Sequence, residues 1–247
     1  IHTEPNLFFS NNYSHKVTGA IGDRSINNLD SVNRYVAPTN LIELMASNCE
    51  IEYSKPFTEN DLPILSLSST PIISTIPMPI MMNIVGWEDF PDFKWKKIWT
   101  QRGVITSPQV NVCQTIYYPD ENQTHYRASV VGNVVIVEHN KEPEQNAGPT
   151  LMNILRSDFG IKALQINDMD SSSQQYGKIL PIDDRLRKDF ISYLTQEYGI
   201  YSLGRFATWR QLILDDLIND IAVIERLMIS PTSYDSALIG SIKICDA

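Results

Sequence analysis

Residues 126–138, with the sequence YRASVVGNVVIVE, decide the fold class. β-Branched residues fill both halves of this stretch, and the Gly132-Asn133 pair between them is typical of a short hairpin turn. The pattern predicts two antiparallel strands, at 126–131 and 133–138, and the run 110–118 before them predicts a third. The centre of the chain is therefore expected to be an antiparallel sheet.

Helices and further strands are predicted on both sides of this centre. Residues 150–159 and 183–198 are each capped at the start and followed by a glycine, which predicts two helices. Other patterns predict short helices after Thr39 or Asn40 and within 79–85, strands at 17–21, 49–53, 64–68 and 71–77, and a serine-rich surface loop at 167–176. The sequence thus predicts mixed strands followed by a helix-rich last third.

The composition limits the function classes. The chain has 247 residues, 43% of them hydrophobic, which suffices for one large domain or two small ones. Its net charge of -9 argues against binding of nucleic acid, because phosphate contacts need clustered Lys and Arg. Four scattered histidines and three cysteines without CxxC spacing predict no metal site. No apolar run has the length of a membrane span, and we expect a cytoplasmic protein without membrane contact.

The stretch Tyr201–Leu217 joins a glycine-arginine turn to an amphipathic pattern that begins at Trp209. The start of a helix carries amide donors and a partial positive charge, and Arg205 beside it would add a forked donor. This combination suits a phosphate or a flavin carbonyl. The alternative is a buried C-terminal helix with a solvated acidic face, in which the turn has no ligand.

A second candidate site lies on the predicted sheet, where Tyr117-Tyr118-Pro119-Asp120 is followed by Tyr126-Arg127. An arginine beside a tyrosine on a strand can bind a phosphate or carboxylate while the ring covers a sugar or flavin face. The alternative is a cross-strand packing pair on a half-exposed sheet.

Three stretches in order resemble the later part of the UDP-galactopyranose mutases, a flavoprotein family distantly related to the flavin amine oxidases. Residues 73–77 resemble the family's return strand to the FAD domain. Residues 117–120 with 126–127 resemble its substrate-diphosphate motif, and residues 204–210 with Asp215 resemble its glycine-arginine turn and flavin-facing helix. The resemblance implies an α/β to α+β chain, with an antiparallel mixed sheet in the substrate domain and a C-terminal flavin-facing helix of a Rossmann-like flavoprotein.

The resemblance also implies a cofactor, a substrate class and a domain plan. FAD would be held by Gly204, Arg205, Thr208, Trp209 and Asp215, and an anionic substrate such as a nucleotide-sugar would contact Tyr118, Tyr126 and Arg127. The reduced flavin would do the covalent chemistry, and no residue is assigned as catalytic. The expected segments are 1–76 with parts of the FAD domain, 77–180 as the β-rich substrate domain, and 181–247 as the helical segment that closes over the cofactor.

The chain departs from the family pattern in ways that keep alternatives open. It has no Gly-x-Gly-x-x-Gly unit for the FAD pyrophosphate, so a companion chain or a preceding N-terminal segment would have to supply it. Gln211 and Tyr126 replace a tyrosine and a threonine of the family. The alternatives are a non-catalytic binding or partner subunit that retains a flavoprotein-like shell, and a flavin-dependent amine oxidoreductase.

Overall fold

The computed structural model describes residues 7–21, 37–38, 40–65, 70–106, 113–143, 147–162 and 165–229. The chain forms two compact units, each drawn from two separate stretches of sequence. The first unit takes its described residues from Ile1–Asn27 and Asp92–Ile182, and the second takes them from Asn28–Pro91 and Asp183–Ala247. These units differ from the three consecutive segments expected at 1–76, 77–180 and 181–247, because stretches on both sides of the first unit combine to make the second.

Helices and strands alternate irregularly along the chain. The α-helices are α1 (Leu7–Thr18), α2 (Leu41–Ala46), α3 (Leu62–Leu65), α4 (Met78–Ile84), α5 (Ala147–Ser157), α6 (Asp184–Tyr198) and α7 (Leu214–Ile229), with a 3-10 turn at Glu59–Asp61. The strands are β1 (Ile72–Ser74), β2 (Trp95–Thr106), β3 (Cys113–Tyr117), β4 (His125–Val131), β5 (Val134–His139), β6 (Gln165–Ile179) and β7 (Ile200–Ser202).

The first unit is built on a five-stranded sheet with the order β3-β4-β5-β2-β6, in which every neighbouring pair is antiparallel. Buried and half-buried side chains alternate along β4 and β5, as expected for a sheet with one face in the core. Side chains of α5 cover that face. The fully buried members of this core are Ala128, Val130, Val135, Val137, Leu151 and Leu155.

Helix α1 belongs to the same unit and packs near β4. Its Tyr13 and Val17 form a buried cluster with Ile98 of β2 and Tyr126 of β4. The Tyr13 ring lies edge-on to the Tyr126 ring, with 6.2 Å between the ring centroids. The N-terminal helix is therefore held on the strands that carry one of the predicted sites.

The second unit contains the two-stranded parallel sheet of β1 and β7, with Ile72 opposite Ile200 and Ser74 opposite Ser202. Helix α6 leads into β7. Its N-cap Asp183 accepts hydrogen bonds from two backbone amides, and its C-terminus is closed by Gly199, whose φ of 63° lies in the left-handed region.

Several of the predicted helices and strands are confirmed. The antiparallel centre, the strand within 71–77 and the helices at 79–85, 150–159 and 183–198 are all present, and α2 follows Asn40 as predicted. The mixed α/β class is thus confirmed, with a five-stranded antiparallel sheet and a parallel pair. Among the described helices, none combines the length and the apolar composition needed to cross a membrane.

Other predictions are wrong. Residues 167–176 lie in strand β6 rather than in a loop, because β2 supplies hydrogen-bonding partners to this polar run. The strand expected at 17–21 is wrong because α1 extends to Thr18 and buries Val17 on the sheet. Residues 49–53 form no strand, and Ile64 lies in helix α3, whereas residues 66–69 fall outside the described part of the chain.

Candidate functional site

The predicted site residues fall into two groups, one in each unit. The predicted cofactor residues belong to the second unit, where Gly204–Arg210 form a turn that we call the 204–210 turn. The predicted substrate residues Tyr118, Tyr126 and Arg127 belong to the first unit. Each group has its own internal geometry.

The 204–210 turn begins at the carboxyl end of the parallel pair. The Leu203 amide donates to the Ser74 carbonyl at 2.9 Å, which extends the strand pairing by one residue. The Met78 amide then donates to the Phe206 carbonyl, also at 2.9 Å. Residues 74–78 and 203–206, about 130 residues apart in sequence, are thus joined by two backbone hydrogen bonds at the carboxyl end of the two parallel strands.

Local backbone geometry shapes the turn. Gly204 has a φ of 92°, which favours glycine because a side chain at this φ clashes with its own backbone. Thr208 closes the turn, since its amide and its Oγ1 donate to the Gly204 carbonyl at 3.0 and 2.8 Å. Trp209 is 1% exposed and has a φ of 44°, an uncommon conformation for a non-glycine residue.

Two arginines, one on α6 and one in the turn itself, connect the turn to neighbouring helices. Arg187 of α6 is buried, and its Nη1 donates to the Thr208 carbonyl at 3.4 Å while its Nε and Nη2 contact Oδ1 of Asp184 at 3.0 and 2.5 Å. Burial acts to raise the pKa of Asp184, but hydrogen bonds from Lys188 and Arg187 hold it below its ordinary value. Arg210, at the end of the turn, forms an ion pair with Asp220 of α7.

The expected position of the last helix is wrong. Helix α7 begins at Leu214, nine positions after Arg205, and not at Trp209. The left-handed backbone at Trp209 interrupts the helical pattern there. The Ile213 amide donates to the Asp216 carboxylate at 2.7 Å, so this acidic side chain already lies at the start of α7. The helix therefore does not start directly after Gly204 and Arg205 in sequence, and Asp215 lies in the first turn of α7.

In the first unit, Tyr126 and Arg127 share one carboxylate. The Tyr126 hydroxyl donates to Oε2 of Glu138 at 2.5 Å. Arg127 donates to Oε1 of the same residue through Nε at 2.8 Å and also through Nη2. Burial and the Glu138 charge both raise the pKa of Tyr126, which therefore stays protonated. Tyr126 is fully buried, whereas 30% of the Arg127 side chain is exposed.

Tyr118 lies next to this pair along the hairpin. Its amide donates to the Tyr126 carbonyl at 2.9 Å, and its hydroxyl donates to Oδ2 of Asp158 at 2.6 Å. Burial raises the pKa of Tyr118, and the hydrogen bond to Asp158 raises it further. The structure thus brings the three predicted substrate residues together, with each polar group already held by a carboxylate of the chain.

Sequence inspection missed Lys16 as a member of this group. Its Nζ donates to the carbonyls of Tyr118, Asp120 and His125 at 2.8, 2.6 and 2.7 Å. Lys16 is 5% exposed and lies on helix α1, more than a hundred residues from these carbonyls. No local signal in the sequence could have predicted a contact over that distance.

A histidine pair lies on the same strands. His125 and His139 are opposite each other in the β4–β5 ladder, with 6.2 Å between the ring centroids. His139 is 1% exposed and contacts Gln101 at 3.0 Å through Nε2. Across the described ranges, no three His, Cys, Asp or Glu side chains come together as a metal-binding group.

No protein-family model matches the chain, and no curated protein matches it either.

The chemistry of the two groups is different. The 204–210 turn presents a glycine backbone with space beside it, because a Cβ added to Gly204 would meet, its chain neighbours apart, no atom of the described residues within 4 Å. Arg205 follows directly, with its guanidinium 5.7 Å from the centre of the Phe206 ring. In the first unit, the partly exposed Arg127 cation shares the Glu138 carboxylate with the neutral Tyr126 phenol. The turn suits a flat polar ring, and the Arg127 group suits an anion.

Proposed function

We propose that the chain belongs to a FAD-dependent enzyme that acts on a nucleotide-sugar or a related anionic substrate. The 204–210 turn would hold the flavin end of the cofactor, and Arg127 would contact the substrate anion. The observation that carries this proposal is the meeting of residues 74–78 and 203–206, which overlap two of the three resembling stretches, at the carboxyl ends of parallel β1 and β7. Crevices at the carboxyl ends of parallel strands are the usual ligand sites of α/β sheets, including Rossmann-like ones.

The residues of the turn fit the flavin better than they fit the rest of FAD. The described residues leave space beside Gly204 for a flat ring to approach the backbone, and an arginine such as Arg205 can donate to a ring carbonyl. The pyrophosphate is different, since the chain has no Gly-x-Gly-x-x-Gly turn to bind it. A companion chain or a preceding segment would complete that part of the cofactor site.

When bound, a flavin supplies reversible hydride or electron-pair chemistry that amino-acid side chains lack. The residues of the chain would bind and orient. Arg187 and Asp220 hold the turn from two sides, which fixes the backbone against which a ring would lie. In the first unit Tyr118 and Tyr126 stay neutral, so the Arg127 cation is the group that attracts an anion.

A second candidate function is a non-catalytic partner subunit that keeps this shell. The observation that favours it is the Glu138 carboxylate, which already occupies both Tyr126 and Arg127. A site whose polar groups are satisfied within the protein needs no ligand for its stability.

The test uses two probes that separate the flavin ring from the pyrophosphate. Lumiflavin, which is the ring alone, and FAD are titrated into the purified protein, with quenching of flavin fluorescence as the signal. Arg205→Ala should weaken the binding of both probes by roughly tenfold or more, because it removes a charge-assisted hydrogen bond. Arg185→Ala is the matched control in the same unit, since the Arg185 side chain is 88% exposed on α6.

Retained circular dichroism in both variants would show that the fold is intact. Equal flavin affinity in the two variants would contradict the assigned role of Arg205. Binding of neither probe to the wild-type protein, in the presence of its preceding segment or companion chain, would overturn the flavin proposal and leave the partner subunit. Oxygen consumption with amine substrates would identify an amine oxidoreductase, because a mutase has no net redox turnover.

A further inference from the structure

Lys16 connects the N-terminal helix to the loop between β3 and β4, which we call the 118–125 loop. The ammonium group donates to three carbonyls of this loop and its end, at Tyr118, Asp120 and His125. A protonated lysine has three N–H donors, so this arrangement uses all of them. Because the contact joins residues 102 to 109 positions apart, it fixes the loop to a distant helix.

Other hydrogen bonds shape the 118–125 loop from within or connect it to the residue that follows β5. Within the loop, the Gln123 amide donates to the Asp120 carbonyl at 3.3 Å, and the Asn122 amide donates to the Asp120 carboxylate at 2.9 Å. The Thr124 carbonyl accepts from the Asn140 amide at 3.1 Å. These bonds shape the turn, whereas the three bonds from the buried Lys16 and the exposed His15–Glu121 pair at 2.7 Å connect it to α1.

We infer that Lys16 is a positioning residue that holds the 118–125 loop, and with it Tyr118 and Arg127, in the conformation that receives the substrate anion. The anion-binding part of this inference rests on the proposed function. Lys16 itself would not touch the substrate, since it is buried and all of its donors are used within the protein.

The charges around Lys16 make this contact sensitive to alkaline pH. Burial lowers the pKa of Lys16 to about 8, while Asp120 and Glu121 of the loop act to raise it. The His125 ring on β4 also lies near Lys16, and burial and the Lys16 charge lower the pKa of His125. His15, on the same helix, pairs with Glu121 at 2.7 Å. A deprotonated lysine has only two N–H donors, so one of the three carbonyls loses its partner.

The first test measures the loop without any ligand. Amide hydrogen exchange of peptides covering residues 118–127 is compared in the wild type, Lys16→Met and Lys141→Met. Lys141 is an exposed lysine just after β5 in the same unit and serves as the matched control. Lys16→Met should speed exchange in the loop by about tenfold or more, because local opening no longer breaks three hydrogen bonds, and Lys141→Met should leave it unchanged.

The second test measures the affinity for uridine 5′-diphosphate by titration calorimetry between pH 7 and 9. Wild-type affinity should fall with a midpoint near the pKa of Lys16, which is about 8. Lys16→Arg should remove this fall, because a guanidinium stays protonated throughout the range. The ligand gains and loses protons in the same way with every variant. The difference between the wild-type and Lys16→Arg affinity profiles therefore reports the protonation of Lys16.

The outcomes separate this inference from the proposed function. Unchanged loop exchange in Lys16→Met, or the same pH profile in wild type and Lys16→Arg, would overturn the positioning role. If Lys16→Met fails to fold, wild-type protection at pH 7 and 9, each corrected for the intrinsic amide exchange rate at that pH and compared with Lys16→Arg, tests the same contact. Faster exchange in a protein that binds no uridine 5′-diphosphate would contradict the proposed substrate class, and the hold of Lys16 on the loop would stand.

Discussion

Arg210 and Asp220 form a buried ion pair that joins the 204–210 turn to helix α7. The two side chains are 14% and 8% exposed, respectively. Because α7 begins only at Leu214, this pair is a direct side-chain connection between the turn and the helix that follows it. Asp220 is therefore buried, although it belongs to the acidic helix face for which the sequence suggested contact with solvent.

Removal of one partner should destabilise the protein strongly. Asp220→Asn leaves the Arg210 charge buried without its counter-ion, and we expect a loss of about 3 kcal/mol in the free energy of unfolding. The matched control is Asp189→Asn, which breaks the exposed Arg185–Asp189 pair at 3.7 Å in the same unit and should cost less than about 1 kcal/mol. Urea unfolding measures both, and equal losses would contradict a buried role for Asp220.

Local signals in the sequence predicted those elements whose geometry is set by nearby residues. Gly132 has a φ of 58°, which a hairpin turn requires, and the strands on both sides follow from β-branched alternation. Asp183 and Gly199 mark the ends of α6 in the same way. The turn at Gly204 was also recognisable, since its left-handed backbone favours glycine.

The remaining features depend on contacts that are distant in sequence. Strand β6 contains a polar run typical of a loop, and it becomes a strand because β2 pairs with it. Lys16 and Glu138 were missed as site members because their partners are set by the fold rather than by spacing. The start of α7 was misplaced because the amphipathic pattern extends back through a left-handed turn at Trp209. Tertiary contacts thus decided the details of both groups.

The pairing of β2 with β6 requires glycine at position 177. A Cβ at Gly177 would lie 2.3 Å from Cγ1 of Ile98, which is buried. Gly177→Ala should therefore lower the free energy of unfolding by roughly 1–3 kcal/mol through overpacking. Ile98→Ala should be less harmful in the Gly177→Ala background than alone, because it removes the clashing atoms. The exposed Ser173→Ala on the same strand should change stability by less than about 0.5 kcal/mol. If the stability losses of the two single variants simply add in the double variant, as measured by urea unfolding, the clash would be ruled out.

The buried His139 should make the fold sensitive to acid. Burial, and to a smaller extent the nearby His125, lower its pKa from 6.5 to about 4. The native imidazole is therefore neutral in a range where the unfolded chain binds a proton, so stability falls as the pH decreases from about 6.5 to about 4. His125, whose pKa is also lowered, contributes with the same sign. Above about pH 6.5 neither state is protonated and this dependence disappears.

His139→Gln tests this dependence, because glutamine cannot take up the proton. The stability of the variant should decline less than that of the wild type between pH 6.5 and 4, by up to about 3 kcal/mol. His15→Gln is the control, since the His15 side chain is 57% exposed. Urea unfolding at several pH values gives the slopes. Parallel wild-type and His139→Gln profiles would show that His139 does not carry the acid sensitivity.

Glu138 decides whether Arg127 is available to an anion. Its carboxylate accepts from the Arg127 guanidinium and from the Tyr126 hydroxyl, and its side chain is 12% exposed. Glu138→Gln keeps the shape of the side chain but removes the negative charge, so the Arg127 cation loses its counter-ion. We expect stability to decrease by about 1–3 kcal/mol and the affinity for uridine 5′-diphosphate to increase by roughly tenfold, because the ligand no longer competes with a carboxylate.

Glu142→Gln, at an exposed position after β5, should change neither quantity. Calorimetric titration and urea unfolding measure the two effects. A destabilised Glu138→Gln that gains no anion affinity would mean that Tyr126, Arg127 and Glu138 form a packing group, as in the partner subunit, and would remove Arg127 from the substrate site.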